Sequence, residues 1–147
     1  MLKECICTKD APQAIGPYSQ AIRLGDFVFI SGQLPVDVNT GNLVEDDIKF
    51  QTKQCLKNIE AILNEINLNL SHVLRTTVYM SDLNEFNEMN EVYSSCFEEP
   101  YPSRSTVKVA ALPKGAKVEI EVMAIDTLAL EVMCCEESCS CNGKDCE

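Results

Sequence analysis

The stretch Pro100-Tyr-Pro-Ser-Arg-Ser-Thr-Val-Lys-Val-Ala-Ala-Leu-Pro-Lys-Gly-Ala-Lys-Val-Glu-Ile-Glu-Val-Met-Ala124 decides the fold. Side chains alternate along a strand, so residues two apart share a face. Arg104, Thr106 and Lys108 therefore share one face, and Ser105, Val107 and Val109 take the other. After the turn-forming Leu112-Pro113-Lys114-Gly115, the same rule turns Val118, Ile120 and Val122 inward and sets Lys117, Glu119 and Glu121 opposite. Two strands joined by a tight turn are expected, bringing one arginine near a pair of glutamates. A guanidinium can hold a carboxylate and a glutamate can handle a water molecule, so this stretch is also the candidate site.

Upstream, residues 22–24 and 27–31 flank Gly25-Asp26 and read as a hairpin. Asp46 or Asp47 then caps a helix on which Cys55, Leu56, Ile59, Ile62, Leu63 and Ile66 recur every three or four residues. A Thr-, Val- and Tyr-rich strand follows over residues 74–80. Ser81-Asp82 or Asn84 starts a second helix with Phe86, Met89, Tyr93, Cys96 and Phe97 on its inner face, and Pro100 and Pro102 stop it. The order ββαβαββ predicts an α+β fold, one mixed sheet with both helices on one face. Val, Ile and Phe side chains are left for the other face, and an apolar face of that kind marks a subunit contact, so a homo-oligomer is expected.

At 147 residues and 46% hydrophobic, the chain is long enough for one domain with a real core. No run of eighteen apolar residues and no charged-then-apolar leader occurs, so neither a membrane span nor secretion is expected, and a cytoplasmic location is. A formal charge of -11 disfavours nucleic acid as a partner. In a reducing compartment the nine cysteines stay free thiols, with Cys55 and Cys96 packing as small hydrophobes.

Several separated motifs then occur in one order. They are residues 11–22 (APQAIGPYSQAI), 30–36 (ISGQLPV), 75–83 (RTTVYMSDL), Tyr101-Pro-Ser-Arg-Ser105 and the Leu-Pro-Lys-Gly…Val-Glu-Ile-Glu ending. Together they resemble the RidA/YjgF family, also labelled endoribonuclease L-PSP, over roughly residues 3–126. The resemblance implies a chorismate-mutase-like α+β fold, a homotrimer around a central sheet barrel, and active sites in clefts between subunits. It further implies cofactor-free hydrolysis of reactive 2-imino or enamino acids, such as 2-iminopropanoate and 2-iminobutanoate, to 2-keto acids and ammonia.

The residues fit that chemistry individually. Arg104 offers a planar fork for the substrate carboxylate, as its family counterpart does; otherwise it is a surface ion-pair partner. Glu119 matches the family glutamate that positions water and exchanges protons, whereas Glu121 reads as a solvated strand position. Tyr18, after the rigid Gly16-Pro17, and Ser31, before Gly32, match family pocket residues. Asn90 is a further substrate-binding candidate, although an amide among apolar neighbours also serves as a structural hydrogen-bonder. Thr106 departs from the cysteine that many bacterial members carry two residues after the arginine, so its backbone groups are what it offers a ligand. No metal or nucleophilic cysteine is required. His72 is the sole histidine, so no His pair exists for ribonuclease-type acid/base work.

Residues 1–129 form the expected domain, and 130–147 a Cys-rich acidic tail outside the resemblance, expected to be disordered. The tail holds Glu131, Glu136, Glu137, Asp145 and Glu147 against Lys144, which accounts for -4 of the charge. Its Cys134, Cys135, Cys139, Cys141 and Cys146 are candidate ligands for zinc or copper(I), without a standard C-x2-C pair. Two other function classes stay open: a noncatalytic regulator that binds a small carboxylate, and an endoribonuclease or translation inhibitor, against which the acidity and lone histidine argue.

Overall fold

The computed structural model describes residues 2–127. The tail cysteines and the boundary at residue 129 lie outside these residues. Six strands and two α-helices follow one another as β1 (Glu4–Ile6), β2 (Ala21–Leu24), β3 (Phe27–Gln33), α1 (Ile48–Asn64), β4 (Val73–Met80), α2 (Phe86–Cys96), β5 (Ser103–Lys108) and β6 (Val118–Ile125). The strands form one sheet in the order β1-β2-β3-β6-β4-β5, antiparallel throughout except for the parallel β4–β5 pair. The mixed sheet with two helices on one face agrees with the sequence reading.

Two expectations need correction. The chain opens with a strand that the ββαβαββ order lacked: β1 is three residues long, too short for alternation to stand out. More consequential, β5 and β6 are not a hairpin. β4 lies between them, and the connecting residues pass through a one-turn 3₁₀ helix at Pro113–Gly115, with Lys114 at φ 58 and Gly115 at φ 74.

Alternation explains the layering. Val118, Ile120, Val122 and Ala124 of β6 are buried, and their register partners Met80, Val78, Thr76 and Val28 are buried with them. This face packs against Cys55, Leu56, Ile59, Ile62 and Leu63 of α1, each buried. Cys55 is a packing residue, as expected, and burial raises its thiol pKa well above the ordinary value; Cys96 is half-buried at the core's edge. The opposite sheet face carries Phe27 and Phe29, 47% and 48% exposed, with Phe29 beside Ile22 and Met123 in register. No helix among the described residues is long and apolar enough to cross a membrane.

Of the two candidate caps for α1, Asp47 is the one used. Its Oδ1 accepts from the backbone N–H groups of Lys49 (2.8 Å) and Phe50 (3.1 Å), while the Asp46 side chain is 85% exposed. Asp47→Ala is expected to destabilise the fold by about 1 kcal/mol. Asp46→Ala is expected to change stability by less than about 0.5 kcal/mol. Urea unfolding of the two variants checks the assignment.

Candidate functional site

The candidate residues fall into two groups. In the first, β3 carries a bulge: Ile30 pairs with Val122 and Gln33 with Ile120, so Ser31 and Gly32 together oppose Glu121. A bulge re-aims the residues it holds. Ser31 N–H donates to the Gln20 carbonyl (3.0 Å), and Ser31 Oγ donates to the Ser19 carbonyl (2.7 Å). That commits the hydroxyl proton and leaves its oxygen as an acceptor. These bonds tie β3 to the segment carrying Tyr18, whose N–H is fixed to the Gly16 carbonyl (2.8 Å) and which is 52% exposed. Tyr18 and Gly32 line a cleft of about 240 Å³ together with Ile15, Leu34 and Val36.

Glu119 lies over Gly32. A methyl group at position 32 would overlap its carboxylate, so the absence of a Cβ makes room for the acid. Burial, and next the charge of Glu121, raise the Glu119 pKa above the ordinary value. Glu121 accepts a hydrogen bond from the Tyr79 hydroxyl at 3.1 Å, and burial together with that bond raises the Tyr79 pKa. Glu121 is thus a hydrogen-bonded neighbour that acts on Glu119, where the sequence reading had only a solvated position.

The second group lies on the helix face at the sheet edge. Arg104 is half-buried, with its Cζ 4.5 Å from the centre of the Tyr93 ring and 5.6 Å from that of Phe86, both on α2. It makes no ion pair among the described residues. Arg104 lines a cleft of about 490 Å³ with Asn90, Tyr93, Ser94, Tyr101 and Pro102. Asn90 is half-buried at that cleft, a more open setting than the amide among apolar neighbours read from the sequence. Thr106, two residues along the same face, has a buried hydroxyl without a hydrogen-bond partner. Its side chain, which the sequence reading set aside in favour of its backbone, is therefore an unused donor.

The two groups do not meet within one chain. Arg104 stands in register with Thr76, which pairs with Val122 on the helix face, whereas Glu119 stands in register with Tyr79 on the open face. β4 also separates the strands that carry them, β5 and β6, by roughly 10 Å at about 4.8 Å per strand. The expected proximity of arginine and glutamates is overturned for the single chain. His72 is a local structural residue: it closes a reciprocal cap with Asn69 around a short 3₁₀ turn. No group of three or more metal-ligating side chains occurs among the described residues, and the tail cysteines lie outside them.

The family model described as Endoribonuclease L-PSP matches residues 8–126. The chain belongs to this family, the RidA/YjgF group. A RutC family protein of Pyrococcus abyssi is 52% identical over 124 residues, covering 84% of this chain and 98% of the relative. The human 2-iminobutanoate/2-iminopropanoate deaminase is 42% identical over 125 residues, covering 85% and 91%. Among solved structures, RidA from the Antarctic bacterium Psychrobacter sp. PAMC 21119 superposes with a TM-score of 0.80 at 43% identity, covering 83% of this chain and 98% of that one. Escherichia coli TdcF with bound serine gives a TM-score of 0.79 at 44% identity with the same coverage. Deaminases are thus among the named members of the family that this chain joins.

The raised Glu119 pKa has a sign that can be measured. The unfolded chain releases this proton at the ordinary carboxylate value, and the folded chain holds it to higher pH. Between the two values the folded state binds more protons, so the contribution of Glu119 to stability declines as pH rises through that window and is constant above it. Glu119→Gln removes the group. Relative to the parent, it is expected to gain stability from acidic toward neutral pH and to keep that gain, as read by urea unfolding at a series of pH values.

Proposed function

We propose that the protein hydrolyses reactive 2-imino or enamino acids to 2-keto acids and ammonia, without a cofactor, in clefts that two copies of the chain complete. The observation that carries this reading is Arg104: a half-buried cation, open to a cleft, held by aromatic rings and by no acid among the described residues. A surface ion-pair role requires an acidic neighbour, whereas a ligand clamp requires free N–H donors. The human relative named as a deaminase and the serine bound to the Escherichia coli relative support an amino-acid-like ligand with a carboxylate.

In this reading Arg104 holds the substrate carboxylate bidentately, with Thr106 and Asn90 beside it. A neighbouring copy supplies Glu119, Ser31 and Tyr18. Ser31, its proton committed to Ser19, accepts a hydrogen bond from the iminium N–H. Ionised Glu119 takes a proton from water as its oxygen bonds to the C=N carbon, and the π electrons pass to nitrogen. The carboxyl then returns that proton to the amine; as the C–N bond breaks and ammonia departs, the carboxylate takes the remaining hydroxyl proton, the carbonyl forms, and the ammonia carries the proton away as ammonium. A raised pKa makes the Glu119 carboxylate a stronger proton acceptor than an ordinary one. An iminium is already electrophilic, so orientation supplies much of the acceleration.

A homotrimer is the proposed assembly, supported by the exposed Phe27 and Phe29 on the open sheet face and by the division of the site. The family label endoribonuclease has less support here, since the chain carries -11 and its one histidine is committed to a local cap.

The test is keto acid release from enzymatically generated 2-iminobutanoate. The parent is expected to accelerate release, Arg104→Ala to lose at least about a hundredfold in kcat/KM, and Arg104→Lys to regain little of it, because an ammonium lacks the planar fork. Light scattering should give three times the 16.3 kDa chain mass for each. Near-parental rates in an assembled Arg104→Ala would contradict the clamp, and binding without turnover in the parent would favour the carboxylate-sensing regulator.

A further inference from the structure

Tyr93 takes no part in the proposed hydrolysis, yet its ring centre lies 4.5 Å from Arg104 Cζ, within cation–π range. The ring itself is held on two sides. Its hydroxyl shares a 2.8 Å hydrogen bond with Thr76 Oγ1 on β4, and its centroid is 4.6 Å from that of Phe97. Tyr93 and Thr76 are both buried, at 4% and 0% exposure, so the plate under the guanidinium is anchored to β4, the strand that pairs with β5. Phe86, about two turns earlier on α2, flanks the same charge at 5.6 Å.

We propose that Tyr93, anchored by Thr76 and assisted by Phe86, is a positioning residue that fixes the guanidinium plane of Arg104 and offsets its charge without occupying its N–H donors. The inference rests on the carboxylate-clamp reading above. Its chemical logic is a choice between two ways to hold a half-buried cation. An acidic partner would take the N–H groups that a substrate carboxylate needs and would repel that carboxylate. An aromatic face attracts the cation from outside the guanidinium plane and leaves the edge, with all five donors, open. Other basic side chains here follow the first route: Arg23 pairs with Asp126 at 2.7 Å, and Lys117 with Glu85 at 3.0 Å. In a chain with 23 acidic residues against 12 basic ones, a clamp arginine must be kept clear of carboxylates, and rings at the contact positions do this. A plane held in advance also leaves less side-chain freedom to be lost when the ligand binds.

The contact between Arg104 and the carboxylate persists from bound substrate to transition state. Loosening the plate therefore weakens binding and leaves kcat nearly unchanged. A plain packing role for Tyr93 would lower stability or assembly without that division.

The experiment uses the full chain and three variants, Tyr93→Phe, Tyr93→Leu and Phe86→Leu. It reads the Kd of 2-oxobutanoate by calorimetry, and KM and kcat for enzymatically generated 2-iminobutanoate. Tyr93→Phe keeps the ring, so Kd is expected to change by less than about threefold. Tyr93→Leu removes it, and Kd and KM are expected to rise about five- to thirtyfold with kcat within about twofold. If Tyr93→Leu does not assemble, Phe86→Leu decides: a Kd raised about two- to fivefold at unchanged kcat upholds the plate, and an unchanged Kd overturns it. Parental Kd in assembled Tyr93→Leu, or a loss confined to kcat, also overturns it. Failure of the parent to bind 2-oxobutanoate, or unchanged binding in Arg104→Ala, would instead bring down the clamp reading, a separate result.

Discussion

The insertion of β4 between β5 and β6 is the constraint on which the rest of the structure depends. β4 pairs parallel with β5 and antiparallel with β6, and the two registers together decide which side chains share a face. They set Arg104 with Thr76 and Val122 against the helices, and Glu119 with Tyr79 on the open face. Burial holds the parity of β6, since a one-residue slip would carry Val118, Ile120 and Val122 out of the core. A single chain therefore presents the two groups of candidate residues on opposite faces. The open face, with Phe27 and Phe29 exposed, is where the proposed contact with further copies would cover apolar surface.

The two groups differ in how they treat charge. On the helix face, aromatic rings surround a cation and keep acids away from it. On the open face, two carboxylates stand two residues apart on β6, and burial with mutual repulsion keeps Glu119 easier to protonate than an ordinary glutamate. Gly32 and the bulge at residues 31–32 make the space for that carboxylate. One group is thus suited to holding an anion and the other to exchanging protons, and the proposed hydrolysis needs both.

Much of this was legible in the sequence because the signals were local. Alternation placed Val118, Ile120 and Val122 inward, helical spacing found the buried face of α1, and the ordered motifs led to the family. Strand neighbours were not legible. Leu112-Pro113-Lys114-Gly115 has the composition of a hairpin turn, but which strands pair is settled by contacts between residues distant in the chain. β1 was missed because three residues carry no measurable period. Phe86 and Tyr93 were read only as core positions on α2: their spacing is the same whether the face meets an aliphatic core or a guanidinium. The effect of Glu121 on Glu119 depends on a burial that no residue pattern reports.

The most direct test of the shared site uses hybrid oligomers. Chains carrying R104A and chains carrying E119Q, each inactive alone, are mixed in equal amounts, unfolded and refolded together, and assayed for keto acid release from 2-iminobutanoate. If each cleft takes Arg104 from one copy and Glu119 from its neighbour, random assembly leaves both residues intact in about a quarter of the clefts, and about a quarter of the parental rate returns. Activity no greater than that of the separate variants would contradict a site built between copies.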